Sequence, residues 1–128
     1  MVFVDPDTST QNLYNQLVTV QQRAVDQIKI GGALGNVDQF CREQFAQLGL
    51  LNYPHSTGHG VGLEVHEAPR VSAASSDVAA AGQALTIEPG LYFPGRFGMR
   101  LEDTVLVTQN RVERLTRLSR SLTVVGGG

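Results

Sequence analysis

The 128-residue sequence has a single cysteine, Cys41, so no internal disulfide can staple it. Cys41 falls in an apolar stripe and reads as a buried, inert thiol. Lys and Arg are scattered, and the formal net charge is −2. No basic stripe offers itself to nucleic acid and no charge block forms a tail. Long apolar runs are missing too, so nothing in the sequence spans a bilayer. The opening Met1-Val2-Phe3-Val4-Asp5-Pro6-Asp7 lacks the basic start and apolar core of a signal peptide. Internal repeats and low-complexity segments are absent. Together these absences leave one soluble domain in a reducing cytoplasm, with neither nucleic acid nor membrane as a partner. A hydrophobic fraction of 41% is enough for one modest core.

What is present divides into two halves. Residues 1–50 read as helical. Leu13, Leu17, Val20, Ala24 and Ile28 recur at steps of three and four, and Tyr14, Val18 and Val25 widen the stripe. Asp7-Thr8-Ser9-Thr10 offers capping oxygens at the start, and Gly31-Gly32 is expected to stop the helix. A second helix is expected from Asn36 as its cap, with Gln39 completing a capping box. Val37, Phe40, Cys41, Phe45 and Leu48 form its apolar face, and Gly49 ends it.

Residues 53–125 read as strand-rich. Val61, Leu63 and Val65 alternate with Gly62, Glu64 and His66. Further runs cover Leu85, Ile87 and Leu91–Phe93; Met99, Leu101 and Val105–Val107; Val112–Leu115; and Leu122–Val125. Asn110 marks a turn. Helices followed by strands predict an α+β fold, two helices packed on one face of a curved, largely antiparallel sheet. The closing Gly126-Gly127-Gly128 reads as a loose end.

The three histidines, His55, His59 and His66, fall within twelve positions. Glycines alternate around His59, which permits a bulge or a close backbone approach. His66 stands seven positions after His59, so a regular strand would point them to opposite faces. A bulge is needed if both are to face one pocket. Metal ligation and simple decoration of strand ends both remain open for these imidazoles. Glu88 follows Leu85-Thr86-Ile87 and precedes Pro89-Gly90. A carboxylate in that setting is costly to bury unless it is paired or bound to a cation. Pro89 holds Glu88 extended and the Pro-Gly turn fixes it at a strand end. Alternation puts Arg100 and Glu102 on one face, where an ordinary surface salt bridge would also satisfy them.

The succession of His55–Glu67, Thr86–Tyr92 and Arg100–Asp103 resembles the peptidase family of Xaa-Pro dipeptidase (prolidase), aminopeptidase P, methionine aminopeptidase and creatinase. Nearly the whole chain is covered. The resemblance implies the pita-bread fold, with residues 1–128 as the carboxyl-terminal portion of a metallopeptidase catalytic domain. It implies His59, Glu88 and Glu102 as metal ligands, with Glu88 also shuttling protons and Glu102 bridging two ions. His55 and His66 resemble the pocket histidines that hold substrate and steady the tetrahedral intermediate. Arg100 resembles a cation that touches substrate or supports the ligands. Glu88–Tyr92 and Arg100–Asp103 follow the Xaa-Pro branch and depart from methionine aminopeptidase. The retained ligands argue against creatinase, which needs no metal. One imidazole among oxygen ligands suits manganese, cobalt, iron or zinc, and two such ions make hydroxide available near neutral pH.

The family's two aspartate ligands have no counterpart. Asp5 and Asp7 are too closely spaced and read as the entry to the first helix. The expected substrate is a peptide with proline at its second position. The expected complement is a missing amino-terminal segment or a second copy, because the sheet would otherwise expose an edge. Two function classes stay open. One is an exopeptidase cleaving Xaa-Pro bonds, present as a fragment. The other is a non-catalytic binding module on the same fold.

Overall fold

In the computed structural model, residues 2–126 are described; Met1 and the last two glycines of the closing triplet lie outside them. The short strand β1 (Val2–Val4) comes first, then α1 (Thr8–Asp26). Asp7 caps α1, its carboxylate accepting from the Thr10 amide at 2.7 Å, as the helix-entry reading requires. The regular helix ends at Asp26, earlier than the Gly31-Gly32 stop read from the sequence. Gln27 and Ile28 still donate their amides to the Ala24 and Val25 carbonyls in a tightened turn, which keeps Ile28 buried. Gly31, at φ +75°, then turns the chain.

The second helix, α2 (Gly35–Gln47), departs from expectation at both ends. Its amino-terminal cap is Leu34, which makes no side-chain bond, so the Asn36 capping box does not form. Gln39 instead donates along the helix to Glu43 at 2.7 Å. Leu48 is 46% exposed and does not belong to the apolar face, whereas Val37, Cys41 and Phe45 are buried. Gly49 follows at φ +70° and supplies the left-handed residue after the helix.

Eight strands follow among the described residues. β2 (Gly58–Gly60), β3 (Glu67–Val71), β4 (Ala84–Ile87), β7 (Asp103–Val107) and β8 (Val112–Arg114) form an antiparallel sheet in the order β3-β2-β4-β7-β8. β5 (Gly90–Phe93) and β6 (Phe97–Arg100) form a separate hairpin. β9 (Thr123–Val125) pairs with β1, and among the described residues that pair alone is parallel. The fold is therefore α+β with a largely antiparallel sheet, as expected. Among the described residues no helix lies between Val61 and Val107, and none is long and apolar enough to cross a membrane.

Three strand readings need correction. Val61–Val65 is a loop and not a strand: Leu63 is 105% exposed and Val65 is also exposed. The alternation there has no sheet face to serve. The strand that pairs with β2 is instead β3, whose Pro69 and charged neighbours weaken the strand signal, as an edge position tolerates. The runs 85–93 and 99–107 each break into two strands. Together they make one long hairpin, β4 with β7 and β5 with β6, interrupted at Glu88-Pro89 and Leu101-Glu102.

The helices cover one face of the sheet. Leu17, Val20, Ala24, Val37, Cys41 and Phe45 pack with Val71, Leu85, Ile87, Val105 and Val107. At roughly 25 cal/mol per Å² of apolar surface removed from water, this layer is the main source of stability. Thr86 and Thr104, which alternate with those residues, look to the other face, and the candidate site lies there.

Candidate metal and peptide site

Backbone register brings the site together. Gly60 stands opposite Leu85 in the β2–β4 pair, so His59 falls beside Thr86. Ile87 stands opposite Asp103 and Gly90 opposite Arg100. Two residues on each side fill the interruption between those pairs, and Glu88 falls opposite Glu102. Residues directly across an antiparallel pair share a face. His59, Glu88 and Glu102 are therefore on the same side of the sheet, away from the helices.

The glycines flanking His59 are there for close approach. A Cβ on Gly58 would lie 1.8 Å from the Thr86 carbonyl oxygen, and one on Gly60 would lie 2.3 Å from that of Ala68. The register between β2 and β3 slips between His59 and Gly60, which pair with Arg70 and Glu67. This irregularity and the 61–66 loop bring the His66 ring to 4.3 Å from the His59 ring, centroid to centroid. The bulge that the odd spacing required is present, made by β3 and a loop. Ser56, His59, His66, Glu67, Arg70 and Asp77 line a cleft of about 440 Å³.

His59 has a defined tautomer. Its Nδ1 lies 2.9 Å from the Gly60 carbonyl oxygen; a carbonyl only accepts, so Nδ1 carries the hydrogen. The Nε2 lone pair then faces Glu88 Oε1 at 3.2 Å. Two lone-pair atoms that close need a proton or another cation between them. A ring nitrogen whose opposite N–H is anchored to a carbonyl is also the usual arrangement of a metal-binding imidazole. Thr86 ties the two residues together: its hydroxyl accepts from the His59 amide at 3.1 Å and donates to Glu88 Oε1 at 3.0 Å. The Glu88 amide donates to the Thr57 carbonyl at 2.7 Å. Arg100 Nε stands 3.7 Å from Glu88 Oε2. The donor types on this face fit a divalent ion in character.

Not every expected residue joins them. Glu102 is exposed and is found in none of the hydrogen bonds or ion pairs described, so Arg100 pairs with Glu88 and not with Glu102. Among the described residues no three His, Cys, Asp or Glu side chains converge as a ready-made cage. His59 and Glu88 meet, His66 stacks beside them, and Glu102 shares their face by register. His55 stands apart from this group. Its Nδ1–H donates to the Ser56 carbonyl at 2.8 Å, and its Nε2 accepts from the Tyr92 hydroxyl at 2.7 Å.

Several contributors escaped the sequence reading. Tyr92 sits in a quoted motif but had no role. Asp38, 1% exposed, accepts from Arg42, from the Thr57 amide and hydroxyl, and from the Ala73 amide. Burial works against its charge, but the Arg42 and Thr57 hydrogen bonds win and hold its carboxyl below the usual range. The one available signal was the Asp38–Arg42 spacing of four on a helix. Asp103 is buried between Gln21, Arg114 and Arg120, and nothing in its local sequence distinguishes it from Glu102 except parity.

The model of metallopeptidase family M24 matches residues 1–109. The Xaa-Pro dipeptidase of Pyrococcus furiosus is 42% identical over 123 residues, 95% of this chain and 35% of that protein. A crystal structure of prolidase from Thermococcus sibiricus superposes with a TM-score of 0.91 at 33% identity, covering 97% of this chain and 34% of the other. X-Pro aminopeptidase from Thermotoga maritima gives 0.90 at 34% identity, covering 96% and 35%. The chain thus spans about a third of the length of the relatives it matches, and its two helices and sheet are part of their pita-bread fold. On the extent of the match and the identity of these relatives, the chain belongs to metallopeptidase family M24.

Proposed function

We propose that these residues are the carboxyl-terminal portion of the catalytic domain of a peptidase that cleaves Xaa-Pro bonds. The observation that carries this is the His59 Nε2–Glu88 Oε1 pair, two ligand atoms facing each other on the open side of the sheet. His59 Nε2, Glu88 and Glu102 are the groups that would hold divalent metal, manganese, cobalt, iron or zinc by donor chemistry. When bound, the metal supplies Lewis acidity that polarises the scissile carbonyl and acidifies water. The chain's own residues do the rest. Glu88 accepts a proton and passes it to the leaving nitrogen, with Thr86 fixing the orientation of its carboxylate. His66, on the cleft wall, donates to the carbonyl oxygen as negative charge develops. His55 and Arg100 orient the peptide, whose second residue is proline.

Two ions on one histidine and two glutamates would repel each other with too little negative charge between them. Two further carboxylates, aspartates from a segment outside these residues, complete the pair in this proposal. The 128 residues by themselves then bind one ion weakly and turn over negligibly. The test joins this chain to a segment that supplies two aspartates and measures manganese-dependent hydrolysis of an Xaa-Pro dipeptide. Cleavage that disappears in Glu88→Gln supports the proposal. A metal-loaded but inactive polypeptide would overturn it in favour of a binding module.

A further inference from the structure

The segment that carries His55 is held almost without backbone help. Among the described residues, 51–56 make no backbone-to-backbone hydrogen bond; the nearest ones belong to the Leu50 and Thr57 amides. Pro54 has no amide hydrogen to offer. Yet Tyr53 is buried and His55 is half-buried. Side chains must therefore define this stretch, and Arg42 of α2 holds most of it. Its Nη1 donates to the Tyr53 carbonyl at 3.0 Å and its Nη2 to the His55 carbonyl at 2.8 Å. The guanidinium carbon also lies 4.5 Å from the centre of the Tyr53 ring.

Arg42 is itself fixed. Its Nε and Nη2 grip the two oxygens of Asp38 at 2.8 and 3.2 Å. Four of the five guanidinium hydrogens are thus committed, two to the carboxylate and two to the carbonyls of Tyr53 and His55. Asp38 extends the same brace by binding the Thr57 amide and hydroxyl and the Ala73 amide. One helical turn of α2 therefore sets both ends of the segment 53–57. The consequence reaches the imidazole. His55 donates to Ser56 from Nδ1 and accepts from Tyr92 at Nε2, so its tautomer depends on where its own backbone is placed.

We propose that Arg42, aimed by Asp38, is the positioning residue for His55: it fixes the carbonyls of Tyr53 and His55, and through them the imidazole's single tautomer against Tyr92. Lysine cannot substitute, because one ammonium cannot reach a carboxylate and two separate carbonyls in a planar fork. The importance of this for peptide cleavage rests on the function proposed above; the placement of His55 does not.

The test is the nitrogen-15 spectrum of the histidine rings in the 128-residue chain, compared with Arg42→Lys. With three histidines in the sequence, assignment needs only single-histidine variants. In the unaltered chain His55 shows two well-separated ring-nitrogen signals, one protonated and one accepting. In Arg42→Lys, which keeps a cation beside Asp38, those signals converge as the tautomers average. His59 keeps its own pattern, because its bond to the Gly60 carbonyl is untouched. If Arg42→Lys fails to fold, the double variant Asp38→Asn with Arg42→Gln removes both charges together and should give the same His55 response. A folded variant lacking Arg42 in which His55 keeps its separated signals overturns the proposal. Loss of fold in both variants overturns it too, by making the pair a strut of the fold as a whole. The readout is a tautomer and not turnover, so a chain that proves not to be a peptidase leaves this result standing.

Discussion

His59 Nε2 and Glu88 Oε1 lie 3.2 Å apart, while the other ring nitrogen, Nδ1, donates its hydrogen to the Gly60 carbonyl. In the function proposed above, this pair shares a cation. Manganese titrated into the chain should bind weakly with a stoichiometry of one, measured by calorimetry. Protons compete for the same lone pair, so affinity should fall on acidification. His59→Gln should weaken binding by about tenfold or more, since disturbing even an outer partner of a metal ligand costs that much. Tight binding that survives His59→Gln would place the ion elsewhere.

Adjacent carboxylates should behave in opposite ways. Glu102 is exposed and Asp103 is buried beside Arg114 and Arg120. Glu102→Gln should change urea stability by no more than about 0.5 kcal/mol while lowering metal affinity. Asp103→Ala should cost about 3–5 kcal/mol, because it strands a partly buried cation and the Gln21 amide. Equal stability losses at the two positions would refute the division of roles.

Acid should loosen the α2 brace. The Asp38 carboxyl is held below its ordinary value. Its contribution is therefore fully present above the pKa of the unfolded chain and is lost as pH falls through the lower, folded value. Urea midpoints measured from neutral pH downward should fall more steeply for the unaltered chain than for Asp38→Asn. Parallel curves would remove Asp38 from the account.

Cys41 is fully buried, and burial pushes its thiol up to about 12. The thiolate is the reactive form. A disulfide reagent near neutral pH should leave the native chain unmodified and react only as it unfolds. Stoichiometric labelling of the folded chain would show that the α2 core is open.

The sequence carried the helices, the α+β order and the three motifs, because each of these is written in local periodicity or in contiguous residues. Leu17, Val20 and Ala24 announce a buried face wherever that helix packs. The strand misreading at Val61–Val65 has the opposite origin. Alternation is a pattern of two, and it cannot say whether a neighbouring strand is there to receive it; Leu63 meets only water. The edge strand β3 was hidden for the same reason, since Pro69 and its charged neighbours look like loop until His59 and Gly60 pair with Arg70 and Glu67.

At the site, residue identity was local and proximity was not. The sequence by itself named the groups proposed to carry the chemistry: His59 between glycines, Glu88 held extended by Pro89, and Glu102 one step before Asp103. Only the tertiary structure decided that His59 Nε2 meets Glu88, that Glu102 stands across the hairpin from it, and that Asp38 and Arg42 hold the His55 segment. Those contacts join residues far apart in the chain. They are set by strand register and by which helix face is pressed against the sheet, and both are settled by packing the whole domain at once.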